Sequence, residues 1–266
     1  MGFSTLIHIV YVLSAVAFII GFKMTRQVET AQRGHLISGI GMAVAILVTL
    51  LDRHVARLDY ILLGLLAGTT VGVALIRKMP QEVSFASIAL LNAFGAAALW
   101  LVTYAQFHAR PAGQGFTGGL ALCVSAVGGM VAFSGALTAW AFLTGRIKTG
   151  QFSIFKKWRL LYLGCFAVIT LAGLVFAWDV VAPEAARYFA LFTLAGTVLG
   201  VALVLPDNLS RLPATVVLLH SYSAAAACAA GFFLQNALMV VAGALVCSGC
   251  VALRQNMNQS AGNESA

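Results

Sequence analysis

The sequence predicts an all-α protein, a polytopic bundle of about nine transmembrane helices. Three observations carry that prediction. Of 266 residues, 61% are hydrophobic and only 9% charged, whereas a water-facing surface needs about a quarter charged residues. The mean hydropathy is +0.95. The charges gather in short runs between apolar stretches of about 18 to 27 residues, the length that crosses roughly 30 Å of hydrocarbon at 1.5 Å per residue. The net charge of +8 then orients helices rather than binding nucleic acid.

The first apolar run, 4–22, has no positive segment before it but Lys23, Arg26 and Arg33 after it. It therefore stays as a span that starts outside. The second, 34–51, carries His35 and Ser38 at its inner edge, and the third, 58–76, ends at Arg77 and Lys78. Asn92 lies inside the fourth, 85–107. The fifth, 117–143, sets Ser125, Ser134 and Thr138 among Gly128, Gly129 and Gly135, the pattern of a central packing helix. A basic segment, 144–158, precedes the sixth span, 159–178; Phe152, Ile154, Phe155 and Trp158 could anchor a peripheral helix there. The seventh, 185–204, and the eighth, 213–234, follow. His220 is the one histidine well inside an apolar run. The ninth, 237–254, closes a transmembrane domain over residues 1–254 and leaves a short polar cytoplasmic tail, 255–266.

Nine spans with an outside start put the C-terminus inside. The inner segments then hold twelve of the sixteen basic residues, leaving Arg53, Arg57, Arg110 and Arg187 outside. That is the imbalance the positive-inside rule requires. The five cysteines all lie in apolar runs, where they read as small hydrophobes, and no zinc-finger spacing is present.

The chain also resembles itself at an offset of 128 residues. GTTVGVAL at Gly68 to Leu75 matches GTVLGVAL at Gly196 to Leu203, and Leu91-Asn92-Ala93-Phe94 meets Leu219-His220-Ser221-Tyr222. Both copies, roughly 58–107 and 186–234, run in the same direction through the membrane, so the repeat is parallel and brings equivalent positions to one interface. Asn92 and His220 are such a pair. An ionisable group at that depth needs a partner, and imidazole exchanges a proton near neutral pH. The same residues also suit structural glue between helices. The other polar residues to follow are Ser223 beside His220, Ser134 and Thr138 on one face of the fifth span, and His35 at an inner entrance. The Gly68/Gly72 and Gly196/Gly200 pairs read as small-residue helix contacts.

Three extended stretches, LLGLLAGTTVGVALIRK, AFSGALTAWAFLTGRI and LLHSYSAAAACAAGFFLQNALMVVAGALVCSG, with MNQ after the last span, resemble the membrane part of the beta subunit of proton-translocating NAD(P) transhydrogenase. The resemblance runs through nearly the whole chain. It implies a bacterial inner-membrane protein that couples proton movement to hydride transfer between NAD(H) and NADP(H). It places a proton path at His220 and Asn92, to which Ser223, Ser134, Thr138 and His35 are added as candidates from their positions in the apolar runs. With nucleotide domains on the inner side, Arg211, Glu82, Lys156 and Lys157 form the expected coupling surface.

The family places its functional histidine at the fourth-span position and an asparagine at the eighth; here Asn92 and His220 are exchanged. The acidic-Met-Pro signature expected before each of these spans is replaced by Val83-Ser84-Phe85 and Arg211-Leu212-Pro213. The chain stops at Ala266, without a glycine-rich turn after a strand. Accordingly it is expected to bind no cofactor itself and not to catalyse hydride transfer alone. An alpha-type subunit and a separate NADP(H)-binding domain are the partners the resemblance implies, with a homodimer within a larger complex as a candidate assembly. Two other functions stay open: an ion or small-solute transporter without hydride coupling, and a non-transporting assembly protein.

Overall fold

A computed structural model describes residues 3–25, 27, 29–51, 58–78, 85–109, 115–147, 158–180, 182–205 and 211–263. All regular structure among them is helical, in nine elements: α1 (Phe3–Met24), α2 (Ala31–Leu51), α3 (Leu58–Lys78), α4 (Phe85–Ala109), α5 (Phe116–Leu143), α6 (Trp158–Trp178), α7 (Ala185–Val204), α8 (Leu212–Phe233) and α9 (Ala237–Asn263). Seven of these are long and apolar enough to cross a membrane, and the described parts of α1 and α3 add two shorter apolar helices. The protein is thus a multi-pass helical membrane protein, as the apolar run lengths predict. The helix boundaries fall close to the predicted spans except at the end, where α9 runs past 254 to Asn263. Its polar last turns can hydrogen-bond along the helix axis as well as to water. The anchors Phe152, Ile154 and Phe155 lie outside the described residues, and Trp158 opens α6.

The chain divides into two compact units, Met1–Glu82 and Val83–Ala266. In the first, α1 and α2 pair through glycine. A Cβ added at Gly21 would fall 2.6 Å from Gly34 O, and one at Gly34 would fall 2.6 Å from Gly21 O, so the two backbones touch where no side chain intervenes. The hydroxyls of Tyr11 and Thr49 tie the same helices at 2.6 Å. Along α3 the glycines Gly64, Gly68 and Gly72 have no neighbour within 4 Å among the described residues. Gly68 and Gly72 therefore do not make, within this unit, the helix contacts their spacing suggests.

In the second unit α5 is the hub, packing against α4, α6, α7 and α8, while α8 and α9 form a hairpin. Lipid tails are as apolar as leucine, so burial alone gives little attraction between helices; close packing of small residues does. α5 supplies it. A Cβ at Gly135 would lie 2.5 Å from Leu219 Cδ2 and 3.0 Å from Gly200 O, and one at Gly128 would lie 2.9 Å from Ala226 Cβ. Gly200 in turn rests on Ser134 and Val131. The aromatic half of the core gathers Phe107, Leu122, Phe176, Phe189 and Phe192, whereas the other half joins Ala89, Ala136, Phe142, Val204, Leu212 and Leu219. Gln235, with φ of 53°, turns the chain between α8 and α9. Asn236 Oδ1 then accepts the Met239 backbone N–H at 3.0 Å, capping α9.

Candidate functional site

Small residues bring α4 onto α8: Ala89, Ala93 and Ala96 are buried on α4, with Leu219 and Ala224 buried on α8. At that contact His220 Nδ1–H donates to Asn92 Oδ1 at 2.9 Å. A carboxamide oxygen only accepts, so Nδ1 carries the hydrogen. Ser223, one turn beyond His220, places its hydroxyl 2.8 Å from the same Asn92 oxygen and 2.9 Å from His220 O, and donates to both acceptors in turn. Two donors thus converge on one amide oxygen. The two bonded positions are 128 residues apart, the offset of the sequence repeat.

Burial across the pair is unequal. Asn92 is 7% exposed and its Nδ2 has no hydrogen-bond partner among the described residues. His220 presents an exposed face, and the bond to Asn92 uses only Nδ1, leaving Nε2 for a second partner. An unpaired amide N–H₂ in a low-dielectric interior costs about 1–3 kcal/mol. The cluster can hold a proton on the ring, accept one at Nε2, and register the state of Nδ1 through the amide.

The other predicted residues lie elsewhere. Ser134 Oγ lies 2.8 Å from Met130 O and 2.9 Å from Thr197 O, its one hydrogen shared between an acceptor on α5 and one on α7, and Thr138 Oγ1 donates to Ser134 O at 2.7 Å. His35 is exposed on α2 in the first unit, where neighbouring Ser38 reaches Phe18 O at 3.5 Å. Arg211 is exposed at the start of α8. Glu82, Lys156 and Lys157 lie outside the described residues. Sequence reasoning passed over the buried link between Thr103 and Ser125, whose hydroxyls lie 2.7 Å apart across α4 and α5. An isolated threonine in an apolar run gave no sign of a partner 22 residues on. No group of three or more metal-ligating side chains suited to an ion occurs among the described residues.

Fold and site together define a multi-pass helical membrane protein with a histidine hydrogen-bonded to an asparagine between two apolar helices. Residues 7–265 match the family model for the NAD(P) transhydrogenase beta subunit. Two sequences from Rhodospirillum rubrum, both named NAD(P) transhydrogenase subunit beta, are 32% identical over 248 residues, covering 89% of this chain and 51% of each relative. The chain belongs to the NAD(P) transhydrogenase beta subunit family, and it spans about half the length of the relatives it matches.

Proposed function

We propose that the chain is the proton-translocating membrane component of an NAD(P) transhydrogenase of the bacterial inner membrane, with its N-terminus outside and its C-terminus cytoplasmic. The observation that carries this reading is the 2.9 Å bond between His220 and Asn92 in a chain of this family. In this reading hydride transfer between NADH and NADP⁺ is carried out by separate nucleotide-binding domains. An alpha-type subunit and an NADP(H)-binding domain are the partners this requires.

His220 is the group that changes charge. With a proton on Nδ1 it bonds to Asn92 Oδ1; with Nδ1 bare, half a turn of the amide offers Nδ2–H instead. Asn92 follows the proton without carrying it, and its otherwise unpartnered Nδ2 gains an acceptor in the second state. Ser223 Oγ, donating to Oδ1 in the first state, can accept from the amide in the second. These are two discrete arrangements of one contact, the kind of element whose equilibrium a distant ligand can bias.

Coupling to the nucleotide domains runs along α8. Arg211 at its inner start and His220 are nine residues apart, about 13 Å along a rigid helix. A domain docked at Arg211, with Glu82, Lys156 and Lys157 as the further residues expected of the coupling surface, would tilt or shift α8 and so favour one His220–Asn92 arrangement. Parallel internal repeats, roughly 58–107 and 186–234, place the two residues at equivalent positions and support this reading.

The test is reconstitution of the chain with separately produced alpha-type and NADP(H)-binding partners in liposomes containing a pH-sensitive dye. Hydride transfer accompanied by vesicle acidification or alkalinisation, abolished by a protonophore, is expected. Hydride transfer with no proton flux would remove the proposed role, and binding of the partners to lipid alone would remove the coupling surface.

A further inference from the structure

The last turn of α5 fixes an arginine. Gly145, with φ of 70°, takes the left-handed conformation that a side chain resists, and the chain closes back on the helix there. The Thr144 N–H donates to Trp140 O at 2.9 Å, the Gly145 N–H to Phe142 O at 3.0 Å and the Arg146 N–H to Ala141 O at 2.9 Å. Three of the carbonyls that a helix end leaves open are thereby met by backbone. The Arg146 side chain is not needed to cap them. Its guanidinium instead lies 4.1 Å from the centre of the Trp140 ring. That ring is half-buried and packs against the core cluster containing Phe142, Val204 and Leu212.

A guanidinium over a ring is held through its charge, which uses none of its N–H donors. Arg146 is exposed and has no carboxylate within 4 Å among the described residues, unlike Arg187, whose Nη1 lies 3.9 Å from Glu184 Oε1. The negative end of the α5 dipole, equivalent to about half a charge, offsets the cation only in part. Segment 144–158 adds Lys148, Lys156 and Lys157 and no acidic residue. An anion with acceptor oxygens is what this position lacks.

Depth narrows the chemistry. α5 has 28 residues and is about 42 Å long, against roughly 30 Å of hydrocarbon and about 40–45 Å of bilayer with its headgroups. Centred in the bilayer, such a helix carries each end about 6 Å beyond the hydrocarbon. Trp140, just before the end at Leu143, then sits at the hydrocarbon edge, and Arg146, just past it, at the level of the phosphates. We propose that Trp140 and Arg146 form a binding site for the phosphodiester of an anionic phospholipid, the ring fixing the guanidinium and the guanidinium donating paired N–H bonds to two phosphate oxygens. A zwitterionic headgroup supplies its own phosphate with a cation, so a headgroup of net negative charge binds better. The same depth favours lipid over an acidic protein surface, which would meet the chain beyond the headgroups.

Native mass spectrometry of the full chain, released from detergent with added phosphatidylglycerol or phosphatidylcholine, counts the lipid that stays bound. Saturable retention of phosphatidylglycerol, about 10-fold tighter than of phosphatidylcholine, is expected. Arg146→Gln should weaken it about 10-fold, the scale of a lost charge-assisted pair, while Arg146→Lys, which keeps the charge without the fork, should fall between. Trp140→Leu should weaken it in the same direction. Arg187→Gln, at a cation already beside Glu184, should leave retention unchanged; an equal loss there would overturn the site as general attraction between basic residues and anionic lipid. Displacement of phosphatidylglycerol by millimolar inorganic phosphate would overturn the lipid as occupant in favour of free phosphate. Unchanged retention in Arg146→Gln would overturn the proposal, and weaker binding of a partner domain by that variant would then assign Arg146 to an acidic protein surface.

Discussion

Two helix contacts in the second unit place polar atoms between apolar surfaces, and they treat them differently. Where α5 meets α7, Ser134 spends its hydroxyl on two carbonyls, Met130 O and Thr197 O, and Gly200 lets the backbones close over it. Where α4 meets α8, two donors crowd one oxygen of Asn92 while its Nδ2 has no partner among the described residues, beside the only histidine deep in an apolar run. At the first contact the hydroxyl has acceptors on both helices. At the second an amide donor has none among the described residues, and on the proposed function the proton-exchanging ring gives that contact a second arrangement. On that reading the difference separates packing from switching.

Overfilling the satisfied contact has the largest effect on stability. Gly200→Leu should cost about 3 kcal/mol or more, because the new side chain meets α5 backbone as well as Ser134; thermal unfolding in detergent measures it. Breaking the open contact acts on function instead. Asn92→Leu should lower proton-coupled turnover about 10-fold with little change in unfolding temperature, and the exchanged variant Asn92→His/His220→Asn should recover most of it if the two positions are equivalent. A wild-type rate in Asn92→Leu would place the switch elsewhere. Ser134→Ala should cost only about 0.5 to 1 kcal/mol, the usual value of one interhelical hydrogen bond in a membrane. Gly72→Leu, at the position matching Gly200 in the sequence repeat, should change stability by less than about 0.5 kcal/mol, since no described residue of its own unit lies within 4 Å of it. A loss as large as that of Gly200→Leu would show that Gly72 faces a packed neighbour.

That last pair marks the limit of what could be read in advance. Helix number and boundaries were legible because bilayer thickness imposes a length on apolar runs and polar residues mark their ends. Asn92 and His220 were legible because a polar group deep in an apolar run must be answered by another. The glycines were not: GTTVGVAL and GTVLGVAL have the same small-residue spacing, yet Gly200 is pressed against α5 while Gly72 meets no described residue of its own unit within 4 Å. Spacing fixes which face is narrow, and only the tertiary arrangement decides what occupies it. Ser134 and Thr138 illustrate the same point, since a shared helical face aligned them in the sequence while their hydroxyls turn to carbonyls of Met130, Thr197 and Ser134.

The account rests on His220 as the group that carries the proton. His220→Ala, reconstituted with the nucleotide-binding partners and compared with wild type for both hydride transfer and dye-reported proton flux, addresses it directly. The predicted result is loss of proton-coupled turnover by at least about 100-fold, the scale of a missing proton-transfer group, in a protein that unfolds at a near-normal temperature. Undiminished proton-coupled turnover in that variant would contradict the account.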